Sequence, residues 1–394
     1  MGKYIPQMKI LIVLRNIGPY HNSRFESLIN SEIEITVFET RPQSQEYLWD
    51  SSDNYKYDIY KFPISPSPEK DISNKKIDSI YKRLIPSIEP DAIVSIGWAD
   101  RSYQRLLLYG NTHKIPVIIV SDSIYKTEKH KKRIFIKELI KKIILMGYSS
   151  AFVAGTESKN YLLKLGFDRE KIFSPWDVVD NNFYENYIPE NKLHKKNYFL
   201  CVSRLLERKN LLNLIRSYAD YQNNGGRWGL KIIGSGDQYN KLINLSNIIT
   251  NKNNFEIIKW LQIDELVNYY KKASAFVLPS YFDNWGLVVN EAIASGLPCI
   301  VSKNCGCAVD LIKQDSSGLI FDPNNINELS FCMKIIENQD KEEREKMINL
   351  AKVNLNKFDL HNFSKNFQKA INEAISKPKY SLFSKLLLRI TSLI

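Results

Sequence analysis

The chain has 394 residues, of which 44% are hydrophobic and 25% are charged. This length exceeds what one hydrophobic core usually organises, and the composition is that of a globular protein, so two domains are predicted and extensive disorder is excluded. The formal net charge of +12 predicts attraction to an anionic partner, which can be a phosphorylated substrate, a lipid surface or a nucleic acid.

The five cysteines are an odd set without a paired C-x2-C spacing, so they support neither a zinc site nor a disulfide scaffold. A reducing cytosol is the predicted compartment. The N-terminal residues lack the apolar core of a signal peptide, and no uncharged run approaches the roughly 18 residues of a membrane-spanning helix.

Strands that alternate with helical stretches are predicted along the whole chain, and this alternation is typical of parallel α/β sheets. In the first half the strands lie at 9–14, 34–38, 92–96, 116–120 and 150–154. After a polar stretch at 184–196 they resume at 198–202, 230–233, 255–258, 275–278, 298–301 and 318–321. The prediction is an α/β protein with two Rossmann-like domains, 1–188 and 189–360, that face each other across a cleft, followed by helices over 361–394.

Two segments predict basic amphipathic helices. The first, 126–142, carries eight Lys or Arg residues against two Glu, and in the second, at the C-terminus, no acidic residue follows Glu373. Each helix can dock on an anionic membrane surface or pack its apolar side on its own domain, and both alternatives stay open. Nucleic-acid binding is not expected, because neither segment interleaves aromatic residues and no nucleic-acid motif is present.

The most informative motif is a pair of carboxylates, Asp283 and Glu291, which follow the strand predicted at 275–278. A helix over 285–295 places Asp283 just before its N-terminus and Glu291 inside it. The first backbone N–H groups of such a helix have no acceptor within the helix, and they attract phosphate. These are the N–H groups of Gly286, Leu287 and Val288. Carboxylates, in turn, suit the hydroxyls of a sugar or a ribose.

The alternative interpretation of this motif is structural. Asp283 or Asn284 would cap the helix by accepting one of these N–H groups, and Glu291 would be a solvated helix residue. For an isolated pair of carboxylates at this spacing, the structural alternative is favoured. The surrounding residues decide otherwise.

Basic residues follow the first strand of the second half. Arg204 and Lys209 come after the strand at 198–202, at the carboxyl end where doubly wound sheets bind ligands. A guanidinium and an ammonium can together bind a diphosphate and stabilise its charge as it departs. The alternative is a solvated helix start, although cations oppose the helix dipole there. Gly234, after the strand at 230–233, opens a G-x-G turn that is weak evidence by itself because a third glycine is absent.

Residues 279–298 resemble the donor-binding E-x7-E motif of the retaining GT-B glycosyltransferases of the group 1 class, glycosyltransferase family 4. The run from Arg204 to Lys209 is similar to the R-x4-K element of that family, and the resemblance is specific over about 198–325. It implies the GT-B fold, in which the C-terminal helices cross back to the first domain. It also implies a nucleotide diphosphate sugar as the donor.

The resemblance implies roles for single residues as well. Asp283, in place of the usual glutamate, would fix the transferred sugar, and Glu291 would hold the ribose. Gly234 would line the nucleotide site. Gly18, the one glycine of the first loop, would lie beside the donor phosphates. Asp122 stands where many members carry a histidine near the transferred sugar, and it either orients a hydroxyl or caps the following segment.

On the acceptor side, His21 and Trp98 are the candidates, with a structural role as the alternative for His21. The loop Cys305-Gly306-Cys307 is similar to a small-residue loop of the family near the nucleotide. Two thiols do not close a metal site, so packing is the favoured role for these cysteines.

The predicted function is a metal-independent, retaining glycosyltransferase, and a hexosyltransferase is the favoured subclass. It would transfer a sugar to a hydroxyl of a lipid-linked or cell-surface glycan precursor, as in polysaccharide or lipopolysaccharide biosynthesis. No cofactor is expected. The predicted location is cytoplasmic, peripheral on the inner face of the cell membrane. Alternatives are an epimerase or a phosphorylase acting on nucleotide sugars, or a catalytically silent scaffold that binds nucleotide or membrane.

Overall fold

The structure, a computed structural model, describes residues 7–29, 32–41, 54–62, 73–125, 131–188, 197–250 and 254–391, with the backbone alone for 131–136 and 391. The chain divides into two compact units. The first comprises Met1–Asp177 and Leu360–Ile394, and the second comprises Val178–Asp359.

The described part of the first unit contains a parallel sheet of seven strands. The strands are β1 Met8–Leu14, β2 Ile33–Glu39, β3 Asp58–Lys61, β4 Ala92–Ile96, β5 Val117–Ser121, β6 Ser150–Val153 and β7 Ile172–Phe173. The helices between them are α1 Pro19–Glu26, α2 Asn74–Ile88, α3 Arg101–His113, α4 Lys131–Leu145 and α5 Thr156–Lys164. The strand order is β3-β2-β1-β4-β5-β6-β7. Because helices cover both faces of such a sheet, its central strands are continuous runs of buried apolar residues, as in Ile10–Leu14.

The described part of the second unit contains a parallel sheet of six strands. The helices are α6 Asn181–Asn186, α7 Leu211–Asn223, α8 Tyr239–Ile249, α9 Ile263–Lys272, α10 Leu287–Ala294, α11 Ala308–Leu311, α12 Ile326–Asn338 and α13 Lys341–Leu355. The strands are β8 Tyr198–Val202, β9 Gly229–Ile233, β10 Phe255–Ile258, β11 Ala275–Leu278, β12 Cys299–Ser302 and β13 Leu319–Phe321. Their order, β10-β9-β8-β11-β12-β13, reverses direction between β8 and β11, and ligands of doubly wound sheets bind at such a point.

The last two helices, α14 Leu360–Ser376 and α15 Leu382–Thr391, pack on the first unit. Helix α14 buries Phe363 and Phe367 against Phe152 of β6, with ring centroids 5.7 and 5.2 Å away. The Ser150 hydroxyl donates to the Ala370 carbonyl at 2.7 Å. Helix α15 packs against α3 and α4.

Two Rossmann-like α/β units were predicted, and this prediction is confirmed. Every predicted strand is present within two residues of its expected bounds, whereas β3 and β7 were not expected because segments of four and two residues carry too short a pattern. Within the polar stretch 184–196, Tyr184 belongs to α6, and 189–196 lie outside the described residues. Of the basic helix predicted over 126–142, the first five residues also lie outside them.

Candidate functional site

The site candidates of the second unit lie at the carboxyl ends of β8 and β11. These two strands are hydrogen-bonded neighbours, with Phe199 paired to Ala275 and Leu200 to Phe276. Since both strands run in the same direction, the turns that follow them meet at one edge of the sheet. Arg204 and Lys209 follow β8, and Asp283 follows β11.

Lys209 and Asp283 form a buried ion pair between their Nζ and Oδ2 atoms. Each side chain is 11% exposed. Arg208, which the sequence did not single out, lies 3.4 Å from Asp283 Oδ1, and the Ser280 hydroxyl lies 3.4 Å from Oδ2. The pair joins a predicted diphosphate-binding residue to a predicted sugar-binding residue.

Asn210 holds the turns at this edge together. Its backbone is left-handed, with φ of 59°, which closes the 3-10 turn Glu207–Lys209 and starts α7. Its Nδ2 donates to the carbonyl of Pro279 at 3.0 Å and to that of Pro323 at 2.7 Å, so the ends of β8, β11 and β13 are tied to one amide group. Asparagine tolerates this backbone better than most residues do.

The loop Cys305-Gly306-Cys307 supports the backbone around Asp283. Gly306 N–H donates to the Asp283 carbonyl at 3.0 Å, and Cys307 N–H donates to that of Trp285 at 3.2 Å. A Cβ on Gly306 would lie 1.9 Å from the Asn284 carbonyl oxygen, so only glycine permits this approach.

The thiols of this loop are packed in the interior. All five cysteines of the chain are free and buried, and burial raises the pKa of the Cys305 and Cys307 thiols. Across the described residues, no cluster of three or more His, Cys, Asp or Glu side chains is arranged to hold a metal ion.

Helix α10 begins at Leu287, after Gly286. Gly286 is the N-cap residue, and its φ of 109° favours glycine. Asp283 is therefore not the N-cap residue of the structural alternative, and its carboxylate pairs with Lys209 instead. The N–H groups of Gly286, Leu287 and Val288 lie at the helix N-terminus, where helix geometry provides no intrahelical acceptor.

Glu291 lies in the second turn of α10 and has no exposed surface. The Tyr270 hydroxyl of α9 donates to Glu291 Oε2 at 2.6 Å. Burial raises the pKa of Tyr184 in α6 well above its usual value, and the negative charge of Glu291 adds to this effect. Glu291 is thus not the solvated residue of the structural alternative, and a ribose can reach it only if its covering side chains move. Its ribose-binding role stays a prediction.

Gly234 and Gly236 position the turn that carries Arg204. A Cβ on Gly234 would lie 1.9 Å from the Ser203 carbonyl oxygen, and one on Gly236 would lie 2.4 Å from that of Leu205. Leu205 N–H donates to the Ser235 carbonyl at 2.8 Å. The two glycines therefore let the turn after β9 pack directly on the backbone beside Arg204.

We expect Gly234→Ala to lower the free energy of unfolding by about 3 kcal/mol or more, because the new Cβ meets a backbone oxygen that cannot rotate away. Gly225→Ala is the matched control. Gly225 also has positive φ, of 77°, but faces open space, so this change should cost about 1 kcal/mol. Urea unfolding of both variants measures the difference, and equal losses would contradict the packing role.

In the first unit, His21 and Asp122 both lie near the buried guanidinium of Arg24. Arg24 is 4.8 Å from the Trp176 ring centroid and 3.4 Å from Asp177, and the exposed Asp122 adds a second negative charge. Gly18 starts α1, and its N–H donates to His21 Nδ1 at 3.2 Å. The Gly18 amide thus has a partner inside its own turn, and its donor-binding role stays a prediction.

Trp98 is the second acceptor-side candidate. It packs partly buried against the core of the first unit, with Lys141 Nζ of α4 5.7 Å from its ring centroid. Its acceptor role also stays a prediction.

Burial and the neighbouring Arg24 lower the pKa of His21 to about 3. The folded chain therefore keeps His21 neutral while the unfolded chain protonates it below about pH 6.5, so stability is lost as the pH falls from about 6.5 towards 3. At pH 5 this cost is about 1–2 kcal/mol for a partly buried side chain.

We expect His21→Gln to remove this pH dependence. The measurement is the free energy of unfolding of the wild type and the variant at pH 7.5 and pH 5. His113→Gln, at an exposed histidine that ends α3, is the control. Parallel pH curves for wild type and His21→Gln would contradict the prediction.

Sequence reasoning missed Arg208, Asn210, Tyr270 and Tyr184. The first two stand inside the R-x4-K run and directly after it, so their position was a usable signal. The two tyrosines lie on helices distant in sequence, and nothing in the pattern of α6 or α9 relates them to Glu291.

Two Rossmann-like units, with paired charges at the switch point of the second sheet, are an arrangement typical of α/β proteins that bind nucleotides. The family model described as "Glycosyl transferases group 1" matches residues 184–353. An "uncharacterized glycosyltransferase" of Haemophilus influenzae is 32% identical over 177 residues, which cover 44% of this chain and 48% of that protein. A lipopolysaccharide 1,6-galactosyltransferase of Escherichia coli is 24% identical over 213 residues, or 53% of this chain and 56% of that protein. These matches span about half of each curated relative.

Among solved structures, HepE of Anabaena in complex with UDP and glucose has a TM-score of 0.72 and 14% sequence identity, covering 93% of this chain and 100% of that one. Residues 184–353 are therefore similar to the group 1 glycosyltransferases, and the chain has the GT-B fold. The predicted resemblance to the group 1 glycosyltransferases is confirmed over residues 184–353.

Proposed function

We propose that the protein is a retaining glycosyltransferase that uses a nucleotide diphosphate sugar. The observation that carries this proposal is the Lys209–Asp283 pair at the switch point of the second sheet, next to the N-terminus of α10. Cations and backbone N–H groups bind phosphate, and a carboxylate accepts sugar hydroxyls. The same edge of the sheet therefore carries binding groups for the diphosphate and for the sugar of a nucleotide sugar.

Donor binding exchanges ion-pair partners in this proposal. The Lys209 ammonium turns from Asp283 to the diphosphate, which carries more charge than one carboxylate. Asp283 keeps Arg208 as a neighbour at 3.4 Å and becomes available to a hydroxyl of the transferred sugar. Arg204 and the amides of Gly286, Leu287 and Val288 complete the charge stabilisation of the leaving group.

The reaction proposed is attack of an acceptor hydroxyl on the anomeric carbon from the face that the diphosphate leaves. The C–O bond to the phosphate breaks, a new C–O bond to the acceptor forms, and the acceptor proton passes to the leaving phosphate. Asp283 is one methylene shorter than the glutamate usual in the family, so the sugar must approach it more closely. No metal or other cofactor takes part in this scheme.

The proposed acceptor is a hydroxyl of a lipid-linked or cell-surface glycan precursor, with His21 and Trp98 as the acceptor-side candidates and Asp122 as the residue that orients a hydroxyl near the transferred sugar. The Escherichia coli relative named a lipopolysaccharide galactosyltransferase supports this class. We place the protein in the cytoplasm, at the inner face of the cell membrane. Along the described residues, no helix has both the length and the apolarity to cross a bilayer.

The test is incubation of the purified protein with UDP-, GDP-, ADP- and dTDP-sugars and with acceptor glycans, followed by product analysis. Release of nucleoside diphosphate together with an acceptor of increased mass supports transfer, and NMR of the anomeric proton checks retention. Epimerised donor, or a sugar phosphate formed from inorganic phosphate, would replace the proposal by an epimerase or a phosphorylase. Binding of nucleotide with no turnover of any donor would indicate a scaffold.

A further inference from the structure

The two basic amphipathic segments of the sequence lie against each other in the structure. Helix α15 packs on α4 and α3, and Leu388 enters the core of the first unit. Ser381 N–H donates to Asn111 Oδ1 at 2.8 Å, and the Tyr380 hydroxyl donates to the Lys114 carbonyl at 2.8 Å. One side of α15 is therefore fixed on its own unit, as one of the two sequence-based alternatives expected.

The opposite side of α15 exposes large apolar residues. They recur at helical spacing, and each side chain is at least half exposed: Leu382 at 75%, Phe383 at 69%, Leu386 at 56% and Ile390 at 50%. The neighbouring α4 exposes Leu139 at 49% and Ile140 at 37%. We call these six residues the α4–α15 face. Clustered exposure on α15, with further exposed apolar residues on the helix that packs against it, is typical of an interaction surface.

The charge around the α4–α15 face is positive. Lys377, Lys379, Lys385 and Arg389 follow Glu373, and no acidic residue does. In the part of α4 whose side chains are described, Lys137, Lys141 and Lys142 stand against Glu138. A second copy of the chain would bring like charges together, which opposes self-association through this face.

We propose that the α4–α15 face docks on the surface of an anionic lipid bilayer. The exposed apolar side chains enter the boundary between headgroups and acyl chains, while the lysines beside them stay at the level of the anionic headgroups. Lys141 also contacts Trp98, so the docked helix adjoins an acceptor-side candidate. The docking stands independently of the proposed sugar transfer.

The experiment is co-sedimentation of the full chain with sucrose-loaded vesicles of phosphatidylcholine, with and without 30 mole per cent phosphatidylglycerol, in low salt. We expect binding to the anionic vesicles only. Phe383→Ser with Leu386→Ser should lower the partition coefficient at least about tenfold, because it removes half of the exposed apolar contact of α15. Lys379→Gln with Lys385→Gln should lower it several-fold and flatten its salt dependence.

Matched controls exist on the second unit. Phe331 in α12 and Val353 in α13 are 66% and 60% exposed, so Phe331→Ser with Val353→Ser removes similar apolar surface elsewhere. Lys241→Gln with Lys346→Gln, at exposed positions of α8 and α13, removes the same charge. Both controls should bind vesicles as the wild type does.

Equal binding by the Phe383/Leu386 variant and the wild type would overturn the proposal, as would an equal loss in the controls. A wild-type dimer that the Phe383/Leu386 change dissociates, without vesicle binding, would assign the face to self-association and also overturn it. Turnover of nucleotide sugar in vesicle-free solution should stay unchanged in this variant. Failure of docking and failure of transfer are therefore observed separately.

Discussion

Replacing Lys209 by methionine is expected to lower kcat for sugar transfer by about 10³-fold, because the leaving diphosphate loses its buried cation. The change keeps most of the length of the side chain and removes its charge. The Asp283 carboxylate then stays buried with only the half-exposed Arg208 as a charged partner. The measurement is release of nucleoside diphosphate under donor saturation, with circular dichroism to establish that the variant is folded.

A double-mutant cycle with Asp283→Asn distinguishes the effect of the ion pair on stability from the effect of the Lys209 charge on catalysis. Lys209→Met alone should lower the free energy of unfolding by about 3 kcal/mol, because it strands a buried charge. The double variant should recover most of that stability but none of the activity. Lys231→Met, which breaks a partly exposed pair with Glu256 on β9 and β10, is the control for removing a lysine from this unit. Normal kcat in Lys209→Met would refute the diphosphate-binding role.

Replacing Glu291 by alanine is expected to lower the free energy of unfolding by about 3 kcal/mol. The change leaves a cavity in a fully buried position and removes the acceptor of the Tyr270 hydroxyl. The packing of α10 against α6 also depends on Glu291, because Tyr184 of α6 faces its carboxylate. Thermal and urea unfolding measure the loss, and an unchanged midpoint would show that the buried network contributes nothing.

The ribose-binding role of Glu291 needs a second comparison, because instability alone lowers activity. Glu291→Gln and Tyr270→Phe both weaken the 2.6 Å hydrogen bond with little change of volume. If Glu291 also binds ribose, Glu291→Gln should raise the Kd for nucleoside diphosphate at least about tenfold, while Tyr270→Phe should change it much less. Equal changes in the two variants would reduce Glu291 to a structural residue.

The predictable part of the candidate site consists of residues that lie close together along the chain. Arg204 and Lys209 stand in one short turn, and Asp283 with Glu291 frames one helix start, so local spacing together with the resemblance to known motifs singled them out. The glycine at 286 was equally informative, because its left-handed backbone is required at that helix start. The strands were predictable for a similar reason, since long buried apolar runs have a strong local pattern.

The sequence by itself determined the α/β class, the two units, the residue types of the candidate donor site and the positive charge of the two amphipathic helices. Only the tertiary structure decided that Lys209 pairs with Asp283, 74 positions away, because that contact requires β8 and β11 to be neighbours in the sheet. It also decided that α15 packs on α4 with one side and exposes the other. Residues distant along the chain meet through sheet order and helix packing, and a local pattern carries no information about either.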